Sequence, residues 1–270
     1  MKFILDRKQY DVPSNPTLEY AEKLLEKAKG ATEIVSIGGG SVIDCGKYVA
    51  WKLKIPHTAI PTTAGTGSEI TKYAVFIENG KKISYEDDAL IPDSYELKPE
   101  LVVSLPKDQT AFTGLDALSQ SIESYWSPHS TNESRHWAKL GMRYASKYLY
   151  ESYQHPQSEL LRMKMLQAAN YSGRAINITR TSVCHAISYP LTIHYGIPHG
   201  QACAYTLAFF MDYFGFTFIN PQRIRHLILD INAQIKIPFD KELVAKEALE
   251  SSRCKNTPRK ITKEIILQSL

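Results

Sequence analysis

The sequence predicts an α/β half built on a parallel sheet, followed by an all-α half. Three observations carry this reading: two glycine-rich turns, each set between a short apolar strand and a helix start; a helix–strand alternation that persists up to Pro106; and long helical patterns thereafter. The first helix opens at Asn15-Pro16, an N-cap with proline at the first helical position. Leu18, Ala21, Leu25 and Ala28 then recur at helical spacing, and Gly30 closes the element. A short apolar strand over 33–38 runs into Gly38-Gly39-Gly40-Ser41 and a helix over 42–52. A second strand over 57–61 runs into Thr62-Thr63-Ala64-Gly65-Thr66-Gly67-Ser68-Glu69. A further strand is expected over 101–105. Helical patterns follow over 117–126, 134–153 and 158–178 and from Cys203 onward, so the domain boundary is placed at 105/106.

Composition excludes several classes. The 270 residues are 43% hydrophobic and 22% charged, a balance that rules out disorder, collagen-like repeats and a disulfide scaffold. The net charge of +4 is spread along the chain without a basic block, so nucleic acid is not the expected partner, and so mild a balance at most favours an anionic small ligand. Cys45, Cys184, Cys203 and Cys254 are far apart and form no CxxC pair, which reads as reduced thiols of a cytoplasmic protein. The most apolar stretch, from Ala204, is broken by Asp212 and reads as a buried helix, so no membrane partner is expected.

A strand, a glycine turn and a helix start together make an anion site, because the backbone can approach closely and the free N–H groups and helix dipole face the charge. Two such turns about 25 residues apart suit one phosphate-bearing ligand at the carboxyl ends of adjacent strands. Neither is a standard fingerprint. GxGxxG is absent, and a Walker A reading fails because Gly46-Lys47 is followed by Tyr48 and the upstream glycine position is Ser41. Tight turns with no ligand are the alternative.

A metal site can be built further on. Asp116 and Gln120 are one helical turn apart on a single face. His185 and His199 are separated by Pro190, Gly196 and Pro198, breakers that forbid one straight helix and let the chain fold back. Aspartate with two imidazoles suits a divalent metal with an open position. His57, His129, His136, His155 and His226 take surface positions by default, and His194 lies within the candidate segment.

Five ordered segments carry a resemblance: IGGGSVIDCGK, IPTTAGTGSE, SLPKDQTAFTGLDALSQSIESYWS, HAISYPLTIHYGIPHG and NTPRKITKEII. In that order they resemble the iron-containing (group III) alcohol dehydrogenases. The resemblance implies a Rossmann-like nucleotide domain, a helical metal domain, NADPH or NADH, and Fe²⁺ or Zn²⁺ in the cleft between them. Carried over by position, Gly38, Gly39, Gly40 and Ser41 match the pyrophosphate cradle, with Asp44 and Lys47 in the same motif. Thr62, Thr63, Gly65, Thr66, Gly67 and Ser68 match the second cofactor loop. Asp116, His185 and His199 match three of the family's four metal ligands. Gln120 stands where the fourth, a histidine, is usual, and Tyr189 stands where a further histidine is found; Gln120 still offers a carbonyl oxygen.

DALSQSIESYWS, STNES and AINITRTSVCHAISYPLT resemble the branch that reduces phosphonoacetaldehyde to 2-hydroxyethylphosphonate. On that reading Tyr189 is the candidate proton donor, and Arg180 or Arg174 is the cation for the phosphonate. A homodimer is the expected assembly. Family members carry one or two additional βα units before the segment matching Asn15, so the sheet is expected to be incomplete, without its first βα unit. A polyol or sugar-phosphate dehydrogenase and a catalytically silent partner-binding form are the alternatives.

Overall fold

The computed structural model describes residues 1–270, the side chains of Arg7 and Lys8 apart. Strand β1 (Lys2–Asp6) leads through the single-turn helix α1 (Arg7–Tyr10) to α2 (Leu18–Lys27), β2 (Glu33–Gly38), α3 (Gly40–Leu53) and β3 (His57–Pro61). A hairpin, β4 (Tyr73–Glu78) and β5 (Lys81–Glu86), and a two-residue strand β6 (Ser94–Tyr95) complete this part. Strands β1, β2, β3 and β6 form one parallel sheet in the order β1-β2-β3-β6. Gly38 pairs in register with Pro61, so the two glycine turns leave the sheet side by side.

Three local expectations are corrected in this half. Helix α2 is capped by Thr17, whose hydroxyl accepts from Tyr20 N at 3.1 Å, rather than by Asn15. Pro16 instead fastens the incoming chain to the hairpin, its carbonyl accepting from Ile77 N at 2.8 Å. Residues 101–105 are turns, not a strand. Their backbone bonds close locally, Val102 N to Pro99 O and Leu105 N to Val102 O, and the Leu105 carbonyl accepts from the buried Arg162 guanidinium at 2.9 Å. The fourth strand of the sheet is β6, which pairs Ser94 with Thr58 and Tyr95 with Ala59. His57 is buried, not on the surface, with Nε2 2.9 Å from Ser36 Oγ. His129, His136, His155, His194 and His226 are exposed.

β1 and the hairpin lie outside the expectations from sequence. Phe3 and Leu5 of β1 alternate inward, as half-buried strands do. The hairpin turns on Asn79 (φ 49°) and Gly80 (φ 74°), the left-handed pair that a two-residue loop requires.

The second half comprises α4 (Lys107–Trp126), α5 (Asn132–Gln154), α6 (Glu159–Thr179), α7 (Val183–Tyr195), α8 (His199–Phe214), α9 (Pro221–Asp230), α10 (Lys241–Glu250) and α11 (Lys263–Ser269). Thr131 and Ser158 cap α5 and α6 through their hydroxyls. Helix α4 begins ten residues before the expected 117, at Lys107. Pro190 does not break α7, which continues to Tyr195. One missing backbone donor is tolerated there; the reversal comes at Gly196, left-handed at φ 65°, and at Pro198, which precedes α8. Asn256, from the last recognised segment, ties three helix ends together: its amide donates to Thr179 O and Thr181 O, and its side-chain oxygen accepts from Ser127 Oγ at 2.6 Å.

One apolar cluster gathers residues between Phe3 and Leu90, and a larger one those between Val102 and Leu270 together with Ala64. Among the described residues, no helix is long and apolar enough to cross a membrane.

Candidate active site

The two turns at the carboxyl edge of the sheet are built for close backbone approach. Thr62 N donates to Gly38 O at 2.9 Å, joining the loops at their base. A Cβ on Gly40 would come within 2.8 Å of the Thr66 side chain, and one on Gly39 within 3.2 Å of Thr63. Gly39 caps α3 without a side chain; its carbonyl accepts from Val42 N at 3.0 Å and Ile43 N at 3.1 Å, so the Gly40 and Ser41 N–H groups are the ones left without a helical partner at the carboxyl edge of the sheet. The second loop is also pressed onto the helical half. Gly67 is left-handed (φ 61°), and a Cβ there would meet Gly173 of α6 at 2.7 Å. Gly65 packs against Thr113 of α4, and Gln120 Nε2 reaches Thr66 O at 3.5 Å.

Asp44 and Lys47 are turned inward beneath these loops. The Asp44 carboxylate accepts from Ser68 Oγ at 2.5 Å and from Val75 N at 3.0 Å. Lys47 Nζ donates to Thr71 O at 2.8 Å, Thr71 Oγ1 at 3.1 Å and Tyr73 O at 2.8 Å, using all three of its protons. Burial pushes this ammonium down to about 8, against the pull of Asp44 and Glu69. The two charges therefore hold the second loop against the hairpin. Ser41 Oγ donates to Ser14 O at 2.6 Å, fixing the start of α3.

Across the cleft, three helices bring Asp116, His185 and His199 together. His185 Nε2 lies 3.3 Å and His199 Nε2 3.9 Å from Asp116 Oδ1, and the two imidazole centroids are 5.3 Å apart. A close helix contact permits this. A Cβ on Gly200 would overlap the Phe112 carbonyl of α4 and come within 3.0 Å of Asp116 Cβ, so only glycine lets α8 start this near α4. Cys203, one turn along α8, also lies in the cluster: one donor atom from each of Asp116, His185, His199 and Cys203 falls within 4.8 Å of all the others.

Glu123, two turns beyond Asp116 on α4, orients the first imidazole. It accepts from His185 Nδ1 at 2.5 Å, which leaves Nε2 facing the cluster. The same carboxylate accepts from Ser182 N, Cys184 N and His185 N and so satisfies the open start of α7. Burial works against ionisation of Asp116, but His185 and His199 outweigh it and hold the carboxyl below its usual range. Burial, with Lys82 next, pushes His199 down to about 3, so its imidazole is neutral and keeps a lone pair. Asp116 and His199 are thus in the donor forms a divalent cation needs, whereas His185 is pushed well above its ordinary value, burial being outweighed by Cys203, Glu123 and Asp116, so binding of a cation would displace its Nε2 proton.

The remaining expected residues divide. Gln120 lies on the same face of α4 as Asp116, but its Oε1 accepts from Ser172 Oγ at 2.8 Å. Tyr189 stands beside His199, ring centroids 6.0 Å apart. Arg174 is engaged elsewhere, donating to Asn170 Oδ1 and Tyr95 Oη and stacking over Trp137. Arg180 is paired with Glu86.

Two cations outside the sequence expectations flank Tyr189: Lys82 Nζ lies 5.5 Å and Arg253 Cζ 4.8 Å from its ring centroid. Lys82 has no ion-pair partner among the described residues, and burial lowers its affinity for its proton. Glu123 and Cys203 left a faint trace in the sequence, at helical spacings of seven from Asp116 and four from His199. Lys82 and Arg253 left none, because a hairpin and a C-terminal turn bring them together.

Comparison with known proteins agrees with this layout. A model of the iron-containing alcohol dehydrogenases matches residues 7–99, and a model of the C-terminal part of the Fe-containing alcohol dehydrogenase family matches 110–236. The phosphonoacetaldehyde reductase of Streptomyces viridochromogenes is 33% identical over 231 residues, 76% of this chain and 58% of that protein. The 1-propanol dehydrogenase of Salmonella typhimurium is 35% identical over 182 residues, 64% of this chain and 49% of that protein. The chain thus spans between about half and three fifths of the length of these two relatives. A crystal structure of sulfoacetaldehyde reductase from Bifidobacterium kashiwanohense in complex with NAD⁺ superposes with a TM-score of 0.89 at 28% identity, covering 96% of this chain and 81% of that one. With both family models matched in order and the fold shared along almost its whole length, the chain belongs to the iron-containing alcohol dehydrogenase family.

Proposed function

We propose that the chain is a metal-dependent NAD(P)H-linked reductase of small aldehydes that carry a phosphonate-type anion. The observation that carries this reading is a juxtaposition: the Asp116, His185 and His199 donors lie beside a tyrosine flanked by Lys82 and Arg253. The first group suits Fe²⁺ or Zn²⁺, and the second suits a dianion. A relative named for phosphonoacetaldehyde and a structural neighbour named for sulfoacetaldehyde support the same substrate class. Four buried free cysteines support a reducing, cytoplasmic setting.

The residues divide the work. Gly38, Gly39, Gly40 and Ser41 cradle the pyrophosphate on the α3 N-terminus, and the loop from Thr62 to Ser68 borders the nicotinamide. Asp44 and Lys47 act through that loop by fixing it, not by touching the cofactor. Asp116, His185 and His199 hold the metal. When bound, the metal supplies Lewis-acid polarisation of the carbonyl and the reduced nicotinamide supplies the hydride. Lys82 and Arg253 take the anionic group, the role expected of Arg180 and Arg174, whose guanidinium groups are engaged by Glu86 and by Asn170 and Tyr95. Tyr189, between these cations and His199, holds the proton that the product hydroxyl needs.

The test compares phosphonoacetaldehyde with propanal in Lys82→Met and Arg253→Met. A lost charge-assisted contact is worth about 1.5–3 kcal/mol, or roughly 10–150-fold in KM for the anionic aldehyde. The neutral aldehyde should change by less than about threefold. Equal losses on both substrates would remove these residues, and the anionic substrate class, from the account.

A further inference from the structure

Cys203 differs in its surroundings from the other three cysteines. All four are buried, but Cys45, Cys184 and Cys254 belong to the apolar clusters, and Cys203 belongs to neither. Its sulfur lies 3.8 Å from His199 Nε2 and 3.9 Å from His199 Nδ1. It therefore faces donors, not core.

Distances decide what that cluster can hold. Zinc bonds of about 2.0 Å to nitrogen or oxygen and about 2.3 Å to sulfur give tetrahedral edges of roughly 3.3–3.5 Å. The observed edges are 3.3 Å between His185 Nε2 and Asp116 Oδ1, 3.9 Å between His199 Nε2 and Asp116 Oδ1, and 3.8 Å between His199 Nε2 and Cys203 Sγ. No pair in the group exceeds 4.8 Å, so small side-chain movements would bring all four donors to one ion, and the carbonyl oxygen would then enter by expansion to a fifth position. Gln120, at the family's usual fourth position, is a weaker contender. Its oxygen is held by Ser172 Oγ at 2.8 Å, and its amide nitrogen, a donor without a free lone pair, reaches Thr66 O.

We infer that Cys203 is the fourth protein ligand of the metal centre, replacing the residue at position 120. The inference rests on the metal-dependent reading above. On binding, the sulfur–metal bond forms as the S–H bond breaks, and the proton leaves to solvent. A thiolate in the set favours Zn²⁺ over Fe²⁺ and makes metal retention sensitive to thiol oxidation.

The experiment loads the metal-free full chain with Co²⁺ and reads the near-ultraviolet thiolate-to-cobalt charge-transfer absorption, with X-ray absorption of the Zn²⁺ form alongside. The expected result is a charge-transfer band and one sulfur neighbour at about 2.3 Å. Cys203→Ser should lose the band and bind Co²⁺ more than about 10–100-fold more weakly, the cost of losing an outer hydrogen-bond partner alone. Gln120→Ala should keep the band. Stoichiometric Co²⁺ without the band, or a Zn²⁺ shell without sulfur, would overturn the assignment while leaving the metal reading intact. Failure of the wild-type chain to bind either ion would overturn both. The X-ray measurement needs no variant, so a misfolded Cys203→Ser does not spare the inference.

Discussion

The two sides of the cleft are built on different chemistry. On the sheet side the ligand-facing groups are backbone, brought into place by Gly39, Gly40 and Gly67, while Asp44 and Lys47 are locked beneath the loops and His57 is buried between the sheet and α3. On the helical side the ligand-facing groups are side chains from α4, α7 and α8, held by other side chains such as Glu123. A backbone site tolerates changes in the side chains around it, provided the loop keeps its path. A side-chain site fails when either a donor or its support is altered. Substitutions on the helical side should therefore remove the metal, and those on the sheet side should act through stability.

The largest effect is expected at the contact that lets the helical side close. Gly200→Val would force α8 away from the Phe112 carbonyl, costing about 3 kcal/mol or more by overpacking. Calorimetry should show a lower Tm, and elemental analysis should show little bound metal. Full metal content in this variant would break the comparison, because the donors would then assemble without the close approach.

Glu123→Gln comes next. It preserves shape but turns an NH₂ group toward donors that now share one carboxylate: Ser182 N, Cys184 N, His185 N and His185 Nδ1. Metal affinity should fall about 10–100-fold, as is usual when the outer partner of a ligating histidine is lost. An unchanged affinity by competition with a chelator would show that Glu123 only caps α7.

At neutral pH the smallest effect lies on the sheet side, and it appears only as the solution is acidified. Burial, with Lys47 next, pushes His57 down to about 3 from an ordinary 6.5. Between those values the unfolded chain takes up a proton that the folded chain refuses. The stability His57 contributes is thus complete above pH 6.5 and is lost as pH falls toward 3, by up to about 1.4 kcal/mol per unit. His57→Asn should flatten the acid limb of a denaturant-derived stability profile by one proton without changing nucleotide or metal affinity. A limb of unchanged slope would mean that the imidazole protonates in the folded state.

The same contrast explains what the sequence made legible. A backbone requirement writes itself as glycine, so both turns could be located by reading along the chain. The hairpin carries its own marker, Asn79-Gly80, and β4 (YAVFIE) is an apolar run, but its partner β5 (KKISYE) is largely charged and polar and gives no matching strand signal. The turn over 101–105 looked like a strand because Val102 and Leu105 serve as core and as a carbonyl for Arg162, demands that exist only after the helices pack. The proposed metal donors were legible as residue types and spacing. Their supports were not: Glu123 reads as an ordinary helical glutamate, and Lys82 and Arg253 meet only because the hairpin and the turn at Ser252–Lys255 face Tyr189.

The most direct test of the central claim measures bound metal and NADPH oxidation by phosphonoacetaldehyde on the same samples of wild type and Asp116→Asn. The account predicts about one metal ion per wild-type chain, with both metal and turnover lost together in the variant. Turnover at the wild-type rate in an Asp116→Asn chain without metal would contradict it.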